Sequence, residues 1–350
     1  MAGPSRARAG RGAAPGELRA LVRRALAEDV GAGDATTLGL VAPRTRARGV
    51  IRAKAAGVVS GHAVAALVFR ALDPRARYEV EVADGGRAEA GAAVATVTAG
   101  ARAILTGERV ALNFLQRLSG IATLTARFVA AVGEGGAAIL DTRKTTPGLR
   151  ALEKQAVATG GGRNHRFGLD DAILVKDNHV AALGDFTRAV CRALLAARRC
   201  RPPLPVIVEA RTLGQAALAI DLGVDRVLLD NFTPAQVRRA VALAAGEAPG
   251  AAAPAGARVE IEVSGGVNLG NVKRYALPGV DCISIGALTH SAPAFDLSLD
   301  LEPIAAGEGK KRAGSPRGEP RRGSPGPSRG RLRSGSPGAP RGASRETRPR

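Results

Sequence analysis

Residues 206–230 read VIVEARTLGQAALAIDLGVDRVLLD, and this stretch indicates the fold of the carboxyl-terminal half of the chain. Each of its two apolar runs, VIV and VLL, is followed by a carboxylate, Glu209 and Asp230 respectively. The Ala- and Leu-rich residues Thr212–Leu222 between the runs are typical of a helix. The two carboxylates are 21 residues apart, which suits one strand–loop–helix–loop unit of a (β/α) barrel.

The same pattern recurs along the chain after Gly133. Short apolar runs that end in a polar or small residue occur at residues 137–140, 172–175, 206–208, 227–229, 259–263 and 282–285. Repeated strand–helix units predict a parallel sheet, so these residues collect at the carboxyl ends of strands, where barrels carry their active sites. A (β/α) barrel is therefore predicted. A doubly wound sheet is the alternative, although no G-x-G-x-x-G motif follows the first strand.

The amino-terminal part has a mixed pattern. Apolar residues at helical spacing predict one helix over residues 18–29 and a second over residues 64–72. Alternating residues 78–82 predict a strand. Helical spacing returns over residues 101–132, with an expected interruption at Ser119-Gly120. These patterns predict an α+β domain.

Four segments are thus expected: a disordered leader at residues 1–15, the α+β domain at 16–120, the barrel at 121–289, and a disordered basic tail at 308–350. The chain has 51 Lys and Arg against 31 Asp and Glu, a net charge of +20, and the tail carries half of the excess. A tail of this composition buries too little apolar surface to offset its ordering entropy. Such a tail could contact nucleic acid or acidic lipid electrostatically, but a tail that only follows the arginine-rich composition and has no partner is the preferred interpretation.

Composition also excludes several classes of protein. The longest stretch without a charged residue, residues 55–69, is shorter than the roughly 20 residues that a membrane span needs, and no secretory signal opens the chain. An Arg-rich start leaves a transit peptide as the alternative to a disordered leader. The three widely spaced cysteines exclude a disulfide scaffold and a zinc knuckle and predict a cytoplasmic protein: Cys191, Cys200 and Cys282.

Lysine is rare in this arginine-rich chain, and its seven positions are Lys54, Lys144, Lys154, Lys176, Lys273, Lys310 and Lys311. A retained lysine indicates a role that arginine does not fill.

Three cationic blocks follow predicted strands or lie between them. The first, DTRKTTPG, contains Thr142, Arg143 and Lys144; the second, GGGRNHR, contains His165 and Arg166; the third, KDNH, begins at Lys176. Adjacent cations with nearby hydroxyls suit a multiply anionic ligand. The blocks together predict a pocket for a small dicarboxylate or a polyphosphate.

The other predicted strand ends are acidic or glycine-rich. Glu209 and Asp230 could bind Mg²⁺ or accept hydrogen bonds from a ribose diol. The segments Ser264-Gly265-Gly266 and Ile285-Gly286-Ala287 end the last two strands, where barrels commonly bind phosphate through backbone N–H groups. The residues therefore predict a dianion subsite beside a ribose-phosphate subsite. No His-x-x-x-His metal pattern and no G-x-S-x-G nucleophile motif is present.

In their order along the chain, these blocks resemble the quinolinate phosphoribosyltransferase family. The resemblance runs from about Leu18 to Leu301 and is carried by the segments Glu28-Asp29, Gly33–Thr37, Leu105–Arg109, Leu118–Ala122, the three cationic blocks, Leu229–Phe232, Ser264–Gly266 and Gly286–His290. One departure is Ile207-Val208-Glu209, where the family often has Glu-Val-Glu.

The resemblance implies an open (β/α) barrel and an amino-terminal α+β sandwich that residues 290–304 also complete. It implies a homodimer in which Arg109 reaches the neighbour's active site; assembly into hexamers is left open. The implied reaction joins quinolinate to 5-phosphoribosyl-1-pyrophosphate and yields nicotinate mononucleotide, pyrophosphate and CO₂, as in the de novo synthesis of NAD. We expect phosphoribosyl transfer first, because a pyridinium nitrogen then stabilises the carbanion that decarboxylation leaves at C2.

The resemblance also implies roles for individual residues. Those expected to bind quinolinate are Arg109, Thr142, Arg143, His165, Arg166 and Lys176. Those expected to bind phosphoribosyl pyrophosphate are Lys144, Glu209, Asp230, Ser264, Gly265, Gly266, Ile285, Gly286 and Ala287. The catalytic residues are expected to be Lys144, Lys176, Glu209 and Asp230. Mg²⁺ is the expected cofactor, held by the substrate with Glu209 and Asp230.

Three rival functions remain at this point. The first is a homologue of the same fold associated with molybdenum transport, against which Lys176–His179 argues. The second is a nicotinate-specific phosphoribosyltransferase, whose monoacid substrate needs fewer cations. The third is nucleic-acid binding through the tail, for which the part before it offers few aromatic side chains.

Overall fold

The computed structural model describes residues 14–247 and 258–304. The predicted tail at residues 308–350 and residues 1–13 of the predicted leader lie outside the described residues. Within the described ranges, no helix is both long and apolar enough to cross a membrane.

The described chain begins with helices and antiparallel strands and continues as alternating strands and helices. The helices are α1 (Pro15–Val30), α2 (Ala35–Leu40), α3 (His62–Leu72), α4 (Ala101–Val132), α5 (Arg150–Thr159), α6 (Asp177–Leu183), α7 (Phe186–Arg199), α8 (Leu213–Asp221), α9 (Pro234–Ala244), α10 (Val272–Tyr275) and α11 (Ala287–His290). The strands are β1 (Arg46–Ala53), β2 (Gly57–Val58), β3 (Arg77–Val80), β4 (Arg87–Ala88), β5 (Ala93–Gly100), β6 (Ala138–Leu140), β7 (Ile173–Val175), β8 (Val206–Ala210), β9 (Arg226–Asp230), β10 (Glu260–Ser264), β11 (Cys282–Ser284) and β12 (Leu297–Pro303).

The amino-terminal part is built on a four-stranded antiparallel sheet in the order β12-β1-β5-β3. Strand β12 comes from the far end of the described chain and pairs with β1 from Ala53↔Leu297 to Ala47↔Pro303. Helix α3 contributes Val68 and Phe69, both fully buried, to the core beside this sheet. The predicted helix over residues 64–72 and the α+β character of this part are confirmed.

Helix α4 is continuous for 32 residues, so the expected interruption at Ser119-Gly120 is wrong. Both residues are buried and serve close packing instead. The Ser119 hydroxyl accepts the Ser60 N–H at 2.9 Å and lies 3.2 Å from the Ser60 carbonyl. A Cβ atom at Gly120 would collide with the carbonyl of Pro293. Helix propensity at this pair is outweighed by the packing that a small residue permits.

The carboxyl-terminal part is a six-stranded parallel sheet in the order β6-β11-β10-β9-β8-β7. Strands β6 and β7 lie at the two ends of this order, so the barrel is open between them. Arg163 covers the free edge of β6: its N–H donates to the Ile139 carbonyl at 2.8 Å, and its carbonyl accepts the Asp141 N–H at 3.2 Å. The predicted open (β/α) barrel is confirmed.

The inward face of the barrel is apolar on one side and charged on the other. Ala172, Leu174, Ile207 and Leu228 form a small cluster apart from the main core. Glu262 is in register with Leu228, and Glu260 is in register with Arg226, so these charged residues share the inward face. Parallel strands buried on both faces usually read as continuous apolar runs. The charged residues of β9 and β10 therefore mark a specialised part of the interior.

Candidate active site

Polar or glycine-rich residues stand at the carboxyl ends of all six barrel strands. Thr142, Arg143 and Lys144 follow β6, Ile285–Ala287 follow β11, Ser264–Gly266 end and follow β10, Asp230 ends β9, Glu209 is the penultimate residue of β8, and Lys176 follows β7. Because neighbouring strands are parallel, these ends meet at one edge of the sheet, here called the strand-end rim. The residues singled out from the sequence are thus brought together, apart from Arg109, and the loop residues His165 and Arg166 join them from the gap between β6 and β7.

Most cations of the strand-end rim have no anionic partner among the described residues. Lys144 and Lys176 are exposed, and neither has a carboxylate within 4 Å in the described part of the chain. Arg143 is half-buried, and its Nε atom is buried without a hydrogen-bond partner among the described residues. Burial and then the nearby positive charge of Arg143 lower the pKa of Arg166. A cluster of cations that repel one another and lack partners is suited to an anionic ligand.

Arg166 is held at the opening of the barrel. Only 9% of the residue is exposed, and its Nη1 donates to the Ala172 carbonyl at 3.0 Å, directly before β7. The same loop is bonded to β6 through Arg163. The loop therefore bridges the two free edges of the sheet, and this fixes Arg166 between them.

A buried ion pair holds the backbone of this loop. Lys154 of α5 donates to the Asp141 carboxylate and, at 3.0 Å, to the His165 carbonyl. Asp141 also accepts the His165 N–H at 2.8 Å, and both side chains of the pair are at most 2% exposed. Burial raises the pKa of Asp141 to about 6, against the opposing effect of the Lys154 ammonium. Burial likewise lowers the pKa of Lys154.

A second group of interacting charged side chains lies inside the barrel. The Glu262 carboxylate is 3.1 Å from Nη1 of Arg226 and 3.3 Å from Nε2 of His165. Arg226 also pairs with Glu260 of the same strand as Glu262. Burial by itself raises the pKa of Glu262, but the facing His165 and Arg226 side chains outweigh it and lower this pKa to about 2.

Two carboxylates face each other across β8 and β9. Burial, followed by the negative charge of Asp230, raises the pKa of Glu209, and Lys176 and Arg211 act in the opposite direction. A cavity of about 370 Å³ lies beside Glu209 and is lined by Asp177, Asn178, Val180, Ala181, Phe186, Arg211 and Gln215. Two close carboxylate groups are a favourable place for a hydroxyl-bearing or cationic group.

The glycine-rich ends of β10 and β11 are held close to other rim residues. Asn231 has a left-handed φ of 59°, donates its N–H to the Ser264 carbonyl at 2.9 Å, and donates its side-chain amide to Asp230 at 3.0 Å. Gly265 has a φ of +91°, and a side chain there would collide with Asn231. A Cβ atom on Gly286 would lie 3.0 Å from the Lys144 side chain. The absence of a side chain at Gly265 and Gly286 therefore permits the close approach of Asn231 and Lys144.

The loop that carries Lys144 is tied to the neighbouring helices. The fully buried Glu153 carboxylate accepts the N–H and the hydroxyl of Thr146 at 3.0 and 2.8 Å. It also pairs with Arg117 of α4 at 2.8 Å. The Thr289 hydroxyl donates to the Lys144 carbonyl at 2.8 Å. These bonds fix the loop backbone while the Lys144 side chain stays exposed.

Arg109 lies away from these contacts. It is exposed on α4. Burial raises the pKa of the neighbouring Glu108, and the positive charge of Arg109 acts in the opposite direction. Among the described residues, no hydrogen bond or ion pair joins Arg109 to the strand-end rim of the same chain.

The sequence patterns did not reveal the buried and half-buried charged residues behind the site: Arg117, Glu153, Lys154, Arg226, Glu260 and Glu262. Two signals pointed to some of them. Lys154 is one of the few lysines of the chain, and residues 260–262 place two acids in a stretch expected to be a buried parallel strand.

The chain matches two family models, described as the N-terminal and C-terminal domains of quinolinate phosphoribosyl transferase, over residues 34–119 and 121–300. The nicotinate-nucleotide pyrophosphorylase (carboxylating) of Mycobacterium leprae is 44% identical over 288 residues, which are 81% of this chain and 96% of that protein. The solved structure of NadC from Streptococcus pyogenes has a TM-score of 0.76 at 39% identity and covers 83% of this chain and 98% of its own. The nicotinate-nucleotide pyrophosphorylase structure from Francisella tularensis has a TM-score of 0.74 at 34% identity, and the match covers 84% of this chain and 99% of that one.

Proposed function

Because the chain belongs to the quinolinate phosphoribosyltransferase family, we propose that it transfers the phosphoribosyl group of 5-phosphoribosyl-1-pyrophosphate to quinolinate with decarboxylation, in the synthesis of NAD. The pyridine nitrogen forms a bond to C1 of the ribose as the bond from C1 to pyrophosphate breaks. The carboxylate next to the nitrogen then leaves as CO₂, and a proton replaces it at C2. The observation that carries this function is the strand-end rim, with unpartnered cations beside two carboxylates and two glycine-rich ends.

The cations of the rim form the quinolinate subsite. Arg143, Arg166 and Lys176 supply charge-assisted hydrogen bonds to the two carboxylates, and Thr142 and His165 complete the same subsite. Binding here desolvates the carboxylate that is lost, and the transfer makes the ring nitrogen cationic. Loss of CO₂ is then favoured because the electron pair left at C2 is adjacent to N⁺.

The remaining rim residues form the phosphoribosyl pyrophosphate subsite. Glu209 and Asp230 accept hydrogen bonds from the ribose hydroxyls and stabilise positive charge that develops near C1. Lys144 faces the departing pyrophosphate. The ends Ser264–Gly266 and Ile285–Ala287 offer backbone N–H groups to the 5-phosphate. The left-handed Asn231 supports this arrangement because its amide holds Asp230.

Mg²⁺ is the proposed cofactor, and the donor set fits it. Glu209 and Asp230 provide hard oxygen atoms. Burial first and then the negative charge of Asp230 raise the pKa of Glu209, and a bound cation would relieve the second of these effects. No cluster of three or more His, Cys, Asp or Glu able to hold a metal ion exists in the described ranges, so most ligands of the ion would come from the substrate and water. When bound, Mg²⁺ would neutralise charge on the pyrophosphate.

We further propose a homodimer in which Arg109 enters the neighbour's quinolinate subsite. This proposal is supported by the exposure of Arg109 and by its lack of a described contact with the rim of its own chain. Assembly of dimers into a hexamer stays open. A cytoplasmic location is proposed because the three cysteines are free.

The function is tested by CO₂ release from quinolinate labelled in the carboxyl group next to the nitrogen, with phosphoribosyl pyrophosphate and Mg²⁺ each omitted in turn. We expect release only when both are present. Release that ignores either omission, or no release from folded protein, would overturn the proposal and favour the molybdenum-transport-associated homologue with another acceptor.

A further inference from the structure

Glu262 is a completely buried carboxylate that the proposed chemistry leaves without a role. Its Oε2 atom is 3.1 Å from Arg226 Nη1 and 3.3 Å from His165 Nε2, and its Oε1 atom has no hydrogen-bond partner among the described residues. A buried charge with incomplete hydrogen bonding is costly. Its presence calls for a reason beyond the packing of the barrel.

Neutralisation of Arg226 does not supply that reason. Arg226 already pairs with Glu260, whose Oε2 lies 2.7 Å from Nε and 2.6 Å from Nη2 of the guanidinium. Two close contacts to one carboxylate satisfy a single guanidinium charge. The other neighbours of Glu262 are the Ser284 hydroxyl and the His165 ring, and of these two only the ring belongs to the proposed quinolinate subsite.

The hydrogen bonds of His165 define where its ring proton lies. Its Nδ1 atom accepts the Arg166 N–H at 2.7 Å, so Nδ1 carries a lone pair and the proton is assigned to Nε2, which faces Glu262. The His165 side chain is only 7% exposed. Both ring nitrogens are therefore occupied within the protein, and no ring N–H remains for a ligand carboxylate.

We propose that Glu262 is a positioning residue for quinolinate binding, and that it acts through the His165 ring on the backbone of Arg166. Glu262 holds the ring by accepting from Nε2, and the ring holds the Arg166 N–H through Nδ1. Arg166 is thereby held at both its backbone and its side chain: the ring of His165 accepts its N–H, and its guanidinium donates to the Ala172 carbonyl at the opening of the barrel. His165 then contributes indirectly, in contrast to the direct contact that the family resemblance implies. This inference rests on the proposed function of the rim.

The test compares Glu262→Leu with Glu262→Gln and a matched control, Glu260→Gln. Leucine has a similar volume and removes the acceptor, whereas the glutamine oxygen can still accept from His165. For Glu262→Leu we expect the quinolinate KM and Kd to rise about tenfold, the loss of one charge-assisted hydrogen bond, with kcat and the KM for phosphoribosyl pyrophosphate changed less than about twofold. Glu262→Gln should recover most of the affinity. Glu260→Gln, two residues away on the same strand, should leave the quinolinate Kd unchanged.

A spectroscopic signature separates positioning from general structural damage. With ¹⁵N-labelled histidine, a slowly exchanging Nε2–H signal of His165, assigned by its loss in His165→Asn, should be present in the wild type and lost in Glu262→Leu. The double variant Glu262→Leu/His165→Asn should bind quinolinate no more weakly than His165→Asn alone, because the two residues act in series.

An unchanged quinolinate Kd in folded Glu262→Leu would overturn the inference, as would additive losses in the double variant or an Nε2–H signal that survives Glu262→Leu. Failure of the proposed function is distinguishable, because it would appear as absent CO₂ release in the wild type, whereas the Kd is measured without turnover.

Discussion

The barrel contains charge in two regions that the protein treats in opposite ways. In the interior, Lys154 pairs with Asp141, and Arg226 pairs with Glu260 and Glu262. On the strand-end rim, Lys144 and Lys176 remain exposed and without an anionic partner within 4 Å among the described residues. The Lys154–Asp141 pair holds the backbone of the loop that carries the rim residues His165 and Arg166.

This difference shows how a cationic site is maintained in a folded chain. Several like charges in one place repel, and flexible side chains would separate if the backbone allowed it. The loop bearing His165 and Arg166 is held by Lys154 and Asp141, and the loop bearing Lys144 is held by Glu153. The paired charges therefore preserve an arrangement that the unpaired charges alone would not adopt.

The largest effect is expected when one partner of an interior pair is removed. Lys154→Met leaves the Asp141 charge buried without a partner, so we expect the free energy of unfolding to fall by about 3–5 kcal/mol. Chemical denaturation measures this fall. The double variant Asp141→Leu/Lys154→Met removes both charges and should recover most of the stability; a double variant as unstable as Lys154→Met would contradict the ion-pair interpretation.

Removal of a rim cation should affect binding rather than stability. We expect Arg143→Ala and Arg166→Ala to lower kcat/KM for quinolinate by about 100-fold each, which corresponds to roughly 3 kcal/mol, because each loses charge-assisted hydrogen bonds to a carboxylate. Steady-state kinetics measures the loss. Arg163→Ala is the matched control, since this exposed arginine of the same loop uses its backbone for contacts; an equal loss in that variant would refute the assignment.

Acid below about pH 4.5 should weaken the contacts of Glu262 inside the barrel. Glu262 has a folded pKa of about 2 against an ordinary value of 4.5. Its ionised form therefore adds stability that is complete above pH 4.5 and is lost as the pH falls toward 2. This loss amounts to about 3 kcal/mol, and denaturation at several pH values in this window measures it. Glu262→Leu should show a correspondingly shallower pH dependence; an equal slope in wild type and variant would count against it.

The smallest effect is expected for an ion pair exposed on the surface beside the rim. Arg211 lies 3.4 Å from Asp177, and both side chains are about half exposed. Such pairs contribute about 0–1 kcal/mol, so Arg211→Ala should leave thermal unfolding nearly unchanged. A loss as large as that of Lys154→Met would remove the distinction between buried and exposed charge.

The rim could be predicted from the sequence because position alone defines it. Glu209 and Asp230 each follow an apolar run, and parallel strands bring such residues to one edge without knowledge of any side-chain contact. That the barrel is open was expected only from the family resemblance. The order of the strands and the place of the opening were not predicted, because hydrophobic periodicity does not specify which strands are neighbours.

The interior pairs could not be predicted because their partners are distant in sequence and unremarkable alone. Lys154, on helix α5, is 13 residues from Asp141, which follows strand β6. Glu262 contacts His165 across the barrel. At Ser119-Gly120 a local rule failed for a related reason: tertiary packing against Ser60 and Pro293 decided the structure, and intrinsic helix propensity did not.

The most direct test of the account is the equilibrium binding of quinolinate compared with nicotinate, measured by calorimetry on the full-length chain. The two ligands share a pyridine ring and differ by one carboxylate. If the unpaired cations of the rim bind a dianion, quinolinate should bind at least about 30-fold more tightly, and Arg143→Ala should reduce this preference strongly. Equal affinities for the two ligands, or a preference that Arg143→Ala leaves intact, would contradict the account.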